Sequence, residues 1–147
     1  MTRLIGLDVG DKTIGVAVSD GIGLTAQGVT TIMRKNWRKD VGQVLEIAEE
    51  YEAGGFVVGL PKKMDGTLGP QSEKVFGFVE KLKGATELPI FMFDERLTTA
   101  LVQKAMITAD VSRAKRKKVV DMLAAQIILQ GYMDRTRLKK NDGEEGA

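Results

Sequence analysis

Two apolar runs near the start of the chain, residues 4–9 and 14–18, are separated only by Gly10-Asp11-Lys12. Residues 14–18 alternate in character, and a short Gly/Asp turn between two such runs is the signal of a β-hairpin. A chain that opens this way must build outward from an antiparallel strand pair. The first run also carries an anomaly, Asp8, inside Leu4-Ile5-Gly6-Leu7-Asp8-Val9. A carboxylate in a strand interior is costly to bury unless it is paired, hydrogen-bonded or neutralised by a cation. Asp8 therefore has either a structural partner or a chemical task.

The remaining pattern extends the sheet. Val29, Thr30, Thr31 and Ile32 are β-branched and predict a third strand over 27–33. The period then changes: Val41, Val44, Leu45, Ala48 and Tyr51 mark one helix face, which Gly54-Gly55 is expected to end. A strand over 56–60, a loop over 61–69 and a helix opening at Pro70 follow, with Val75, Phe76, Val79 and Leu82 on its apolar face. A last strand over 89–93 runs into Asp94-Glu95-Arg96, and two helices over 98–108 and 114–134 close the fold. Three hairpin-linked strands and two βα units predict an α/β fold. Its sheet is mixed and five-stranded, three strands antiparallel and then two parallel, with flanking helices. The 147 residues suit one domain over 1–137. The polar, aperiodic stretch 138–147 reads as a disordered tail.

Composition narrows the chemistry. The chain has no cysteine and no histidine, which excludes disulfides, Cys/His zinc sites, thiol nucleophiles and Ser-His-Asp triads. Catalysis must use carboxylates, hydroxyls, Lys, Arg, Tyr or an oxygen-held cation, and Mg2+ or Mn2+ fits that donor set. No export signal or apolar membrane span is visible, so a cytoplasmic location is the expectation.

Ligands of open α/β sheets gather at the carboxyl ends of parallel strands. Asp8, the pair Asp94-Glu95 and Asp121 are the acids that this edge can collect. If the fourth strand lies between the first and the fifth, Asp8 and Glu95 stand about 9.6 Å apart at the backbone. Gly59 then leaves the space between them open. Asp121 lies beside the stripe Val120, Leu123, Ala124, Ile127, Ile128, and the small Ala124 and Ala125 let that helix approach the sheet. Each acid also has an ordinary reading: Asp8 bonding the hairpin turn, Asp94 capping a helix, Asp121 pairing with Lys117 or Lys118. Their joint convergence is what favours a metal site.

The segment "SRAKRKKVVD" places Arg113, Lys115, Arg116, Lys117 and Lys118 at a helix start, where cations oppose the macrodipole. A solvated helix end explains them; so does guidance of a phosphate-rich partner toward Asp121. Lys12 in the hairpin turn and Arg96 beside Glu95 are further candidate phosphate contacts, although Arg96 can equally pair with an acid. In "GLPKKMDGTLGPQ", Gly59 and Gly66 belong to a loop whose amides could hold a phosphate. Turn shaping alone also accounts for these glycines. Trp37 and Met33 read as packing residues.

The blocks "GLDVGDKTIGVAVSD", "VVGLPKKMDGTLGPQ", "DERLTT" and "VVDMLAAQIILQGYMD" resemble, in order, the signature blocks of the YqgF family. The resemblance spans residues 4–134. It implies a ribonuclease H-like fold and one of two activities: maturation of the 5′ end of pre-16S ribosomal RNA, or resolution of Holliday junctions. Matched by motif, Asp8 corresponds to the first-strand acid, Glu95 to the glutamate of "DER" and Asp121 to the acid of the last helix, with Asp94 the less certain member of its pair. The implied mechanism has divalent ions on Asp8, Glu95 and Asp121 straddling a scissile phosphate. The implied partners are an rRNA precursor, branched DNA or a ribosomal particle, met as a monomer or dimer. Two rivals remain: a non-catalytic RNA-binding assembly module, and a sugar-kinase or actin-like ATPase, whose phosphate-binding hairpin the first block also resembles. The second of these needs two such domains.

Overall fold

A computed structural model of the chain describes residues 3–63, 65–97 and 113–146, with the side chains of residues 97, 113–118 and 138–146 excepted. The strands are β1 (Arg3–Val9), β2 (Thr13–Ser19), β3 (Ala26–Met33), β4 (Ala53–Leu60) and β5 (Ile90–Asp94). The helices are α1 (Trp37–Glu50), α2 (Pro70–Lys83) and α3 (Arg113–Gly146), and a 3-10 turn at Glu95–Leu97 follows β5. The sheet order is β3-β2-β1-β4-β5. β1 pairs antiparallel with β2, and β2 with β3, whereas β1/β4 and β4/β5 are parallel. The expected mixed sheet is therefore present, with β4 between β1 and β5. The expected helix over 98–108 lies outside the described residues.

Local chemistry explains where the elements differ from the pattern. Gly54-Gly55 does not end α1. The helix stops at Tyr51, Glu52 turns the chain with φ +53°, and both glycines lie within β4. Pairing with β1, Arg3 beside Ala53 and Leu4 beside Gly55, outweighs their weak strand propensity. On α2 the buried stripe is Val75, Phe78, Val79 and Leu82, the i, i+3, i+4, i+7 set. Phe76, expected on that face, points away and is exposed. The backbone of α3 continues past residue 134 to Gly146, through the polar stretch whose composition suggested disorder; Lys and Glu, common there, are good helix formers.

Strand alternation divides the core into two layers. Ile5, Leu7, Ile14, Val16, Phe56 and Val58 pack against α1 and α2. Ala17, Ala26, Val57 and Phe93 face α3 through Ala125, Ile128 and Leu129. On this second face three glycines, Gly6, Gly15 and Gly28, lie directly beneath the helix. A Cβ on Gly6 would sit 2.7 Å from Leu129 Cβ, one on Gly28 2.5 Å from Met122 Cγ, and one on Gly15 only 1.9 Å from the Asp121 carbonyl oxygen. The helix thus rests on bare backbone. Gln126 and Gln130 then reach over the sheet edge: Gly28 N donates to Gln126 Oε1 at 3.2 Å and Ala26 N to Gln130 Oε1 at 2.9 Å. These contacts satisfy outward-facing amides of β3, which no strand covers.

Gly15→Ala should destabilise the protein by about 3 kcal/mol, at the upper end of overpacking costs, because its clash is with helix backbone. Gly42→Ala, in α1 with nothing within 4 Å of its Cβ position, should instead stabilise by about 0.5–1 kcal/mol. Denaturant unfolding of both variants checks the contrast.

Candidate active site

Parallel β1, β4 and β5 end at one sheet edge, and the β1–β2 turn lies there too. Asp8 has the same parity along β1 as Gly6, so it faces α3, and it pairs with Gly15 across the β1/β2 ladder. The β1/β4 register, Leu7 beside Val58, sets Asp8 beside Gly59 on its other side. Both neighbours are glycines, and each is covered by one of the other acids. The Asp121 backbone sits over Gly15; a Cβ on Gly59 would lie 3.0 Å from Glu95 Oε1. Strands are about 4.8 Å apart, so Asp121 and Glu95 stand one strand to either side of Asp8. Asp8 and Glu95 are buried, at 8% and 7% exposure, where a carboxylate requires compensation.

Protein groups supply compensation in this state. The Thr13 hydroxyl donates a short hydrogen bond to Asp121 Oδ2, Asp8 and Glu95 are also engaged, and no buried side-chain polar atom among the described residues lacks a partner. Among those residues no three acidic side chains are close enough together to hold one ion. The donor chemistry nevertheless suits a hard cation: oxygen ligands only, from three separate elements. The missing Cβ atoms at Gly15 and Gly59 are what admit the Asp121 backbone and the Glu95 carboxylate to either side of Asp8.

Asp94 stands apart. It has the opposite parity to Phe93, which faces α3, and its carboxylate is held by Arg96. Arg96 N donates at 2.9 Å and Nη2 at 2.7 Å, and Lys62 Nζ is 3.7 Å away. The side-chain hydrogen bond from Arg96 holds its pKa below the ordinary 3.8, against the opposing effect of burial. Arg96 is correspondingly an ion-pair partner of Asp94, and its guanidinium also packs against Gly66, 3.2 Å from the Cβ position there.

The loop after β4 is tied up internally. Gly66 N donates to Lys63 O at 2.8 Å, and Lys63 N to Thr67 O at 2.9 Å. Gly66 has φ +90°, which favours glycine for conformational reasons alone. Gly59 is not in the loop but inside β4. Lys12 is exposed in the hairpin turn, and its carbonyl accepts from Arg34 N at 2.9 Å. Arg113, Lys115, Arg116, Lys117 and Lys118 occupy the first turns of α3, and their side chains lie outside the described residues.

Sequence pattern alone did not single out Thr13, Gly15 or the pair Arg34–Asp40. Asp40 is buried at the start of α1 and accepts from Arg34 Nε at 3.0 Å and Lys35 N at 3.0 Å. Arg34 Nη1 also donates to Gly10 O at 2.9 Å, fixing the turn that follows Asp8. The available signal was weak: one acid after the basic run "RKNWRK".

Residues 2–135 match the RuvX family, described as Holliday junction resolvase. A protein of Clostridium tetani is 59% identical over 132 residues, covering 90% of this chain and 96% of its own. One from Thermoanaerobacter pseudethanolicus is 57% identical over 138 residues, covering 93% and 99%. Both bear the name "Putative pre-16S rRNA nuclease". In fold, the chain is similar to Thermus thermophilus RuvC solved with a Holliday junction substrate, at TM-score 0.59 and 14% identity, covering 92% of this chain and 97% of that one.

Because the folded-state pKa of Asp94 is depressed, its contribution to stability is complete above the unfolded value and is lost as pH falls through the folded one. Asp94→Asn should therefore cost about 1 kcal/mol near neutral pH. The difference from wild type should vanish as pH falls below 3.8. Denaturant midpoints measured across pH 2–7 check this.

Proposed function

The chain belongs to the RuvX/YqgF family, and on that premise we propose that it is a metal-dependent nuclease that hydrolyses phosphodiester bonds, with the 5′ end of pre-16S ribosomal RNA as its substrate. One observation carries the chemistry: Asp8 lies between two glycines, each overlain by another acid, Asp121 over Gly15 and Glu95 over Gly59. Sheet pairing on both sides holds Asp8 rigidly. The turn after β5 positions Glu95, and the seating of α3 on Gly15 positions Asp121. In this reading Asp8, Glu95 and Asp121 hold Mg2+ or Mn2+, and Asp94, already neutralised by Arg96 and Lys62, does not. When bound, the cation lowers the pKa of a water and offsets charge on the phosphate. The Thr13 hydroxyl, bonded to Oδ2 of Asp121, orients that carboxylate.

The basic residues serve the approach of the substrate. Lys12 and the α3 start, Arg113, Lys115, Arg116, Lys117 and Lys118, lie in sequence next to Asp8 or Asp121. They draw a polyanion to a centre that its own acids would otherwise repel. Hydrolysis then moves the phosphoryl group from its leaving oxygen to water. The names of the close relatives support ribosomal RNA. A second reading, resolution of four-way DNA junctions, is supported by the family description and requires a two-fold dimer. Among the described residues no helix is long and apolar enough to cross a membrane, and we place the activity in the cytoplasm, where ribosome precursors are made.

Purified protein with Mg2+ or Mn2+ should cleave a pre-16S leader in preference to unrelated single-stranded RNA and a four-way DNA junction, and chelation should stop it. Asp8→Asn and Glu95→Gln should each lower the rate by more than the about 10–100-fold that loss of an outer-shell partner costs, with RNA affinity retained. Preference for the junction, with a dimer by light scattering, would move the assignment to resolution. RNA binding without cleavage of any substrate would leave a non-catalytic assembly module.

A further inference from the structure

On the opposite side of the sheet from α3, a cleft of about 460 Å³ opens between α1, α2 and the β1–β2 turn. Its charge is strongly one-sided. Arg34, Lys35, Lys74 and Lys81 line it, against the single carboxylate of Asp11, which Lys74 neutralises at 2.9 Å. Arg34 is committed to Asp40. Lys35 and Lys81 form no ion pair among the described residues. The cleft wall also holds Trp37, which is 41% exposed. An indole gains by burial, yet this one stays part-exposed, with Lys81 Nζ 4.5 Å from its ring centroid and the Arg38 guanidinium 5.3 Å away.

An exposed indole among uncompensated ammonium groups suits a ligand with a flat π-face and a phosphate. Base stacking is stronger than an exposed cation–π contact. An incoming base can therefore displace Lys81 from the ring, and the freed ammonium can take the phosphate. The place of the cleft supports this. Arg34 bonds Gly10 O at 2.9 Å and Lys74 bonds Asp11 at 2.9 Å, so the cleft begins at the turn immediately beyond Asp8. The acidic centre and the cleft lie on opposite faces of the sheet and meet at that turn.

We propose that this cleft binds unpaired nucleotides flanking the cleaved bond, with Trp37 stacking on a base and Lys35 and Lys81 holding phosphates. The proposal rests on the nuclease reading only for the class of its ligand, a nucleic acid. It makes the enzyme selective for substrates with a single-stranded stretch on one side of the scissile phosphate.

Trp37 is the sole tryptophan of the chain, so its fluorescence reports the site directly. Wild-type protein in a chelator, where no cleavage occurs, is titrated with a fluorescently labelled single-stranded oligoribonucleotide and with a blunt duplex. Tryptophan emission and label anisotropy are followed together. The single strand should quench Trp37 with the same midpoint that anisotropy gives, and the duplex should not. Trp37→Ala should weaken single-strand binding about 5- to 150-fold, the range of one stacked base, and Trp37→Phe should restore most of it. Lys35→Ala and Lys81→Ala should each lower the salt dependence, log K against log salt, by about 0.7. Single-strand binding without quenching, equal quenching by the duplex, or unchanged affinity in folded Trp37→Ala would overturn the proposal. The quench is read on wild-type protein, so the test stands even where a variant unfolds. Cleavage of RNA without the quench would leave the nuclease reading intact and remove this one; quenching without cleavage would do the reverse.

Discussion

The seating of α3 on the glycines of β1, β2 and β3 sets the geometry of everything else at this edge of the sheet. A helix packed on ordinary strand residues stands about 10 Å from the sheet, since side chains from both layers must interdigitate. Here the Asp121 carbonyl lies where a Gly15 Cβ would be, so the helix backbone is in contact with β2 itself. That approach brings the Asp121 carboxylate down to Thr13 and to within one strand of Asp8. The same device is repeated at Gly59, where the missing Cβ makes room for Glu95 and for the Ile128 methyl 2.5 Å from that position. Glycine costs strand stability; in this fold that cost is what allows three acids to approach one edge.

Around this acidic centre the charges are sorted by function. Arg96 and Lys62 hold Asp94 on the far side of the sheet plane from Asp8. Arg34 holds Asp40 and through Gly10 fixes the turn after β1. In both pairs the carboxylate is the more buried partner, and both brace backbone beside a candidate site residue.

Much of this was legible in the sequence. The hairpin around Gly10-Asp11-Lys12, the change of period at α1 and the strand–acid junction at Asp94-Glu95 all follow from local alternation and composition. The absence of His and Cys pointed to carboxylate and hard-cation chemistry before any fold was known. Local rules failed where long-range pairing overruled them. Gly54-Gly55 reads as a helix stop, yet β1 draws both residues into β4. Phe76 reads as apolar and internal, yet the α2 stripe is set by Val75, Phe78 and Leu82, one helical phase away. Trp37 reads as a packing residue because nothing local reveals that Lys81, on another helix, will sit on its ring.

The sequence by itself determined which chemistry is available and which elements form, because both depend on side-chain identity and on near neighbours along the chain. It also carried the family resemblance, because the motif blocks are contiguous strings. The tertiary structure separates Asp94 from Glu95: β5 ends at Asp94, which pairs with Arg96, and the 3-10 turn that follows carries Glu95 over Gly59, beside Asp8. Gly59 reads from the sequence as a gap between Asp8 and Glu95, but Gly15 takes its meaning from the folded chain. A glycine has no side chain to signal its purpose, and the helix backbone that occupies the Gly15 Cβ position comes from Asp121, far away in the chain.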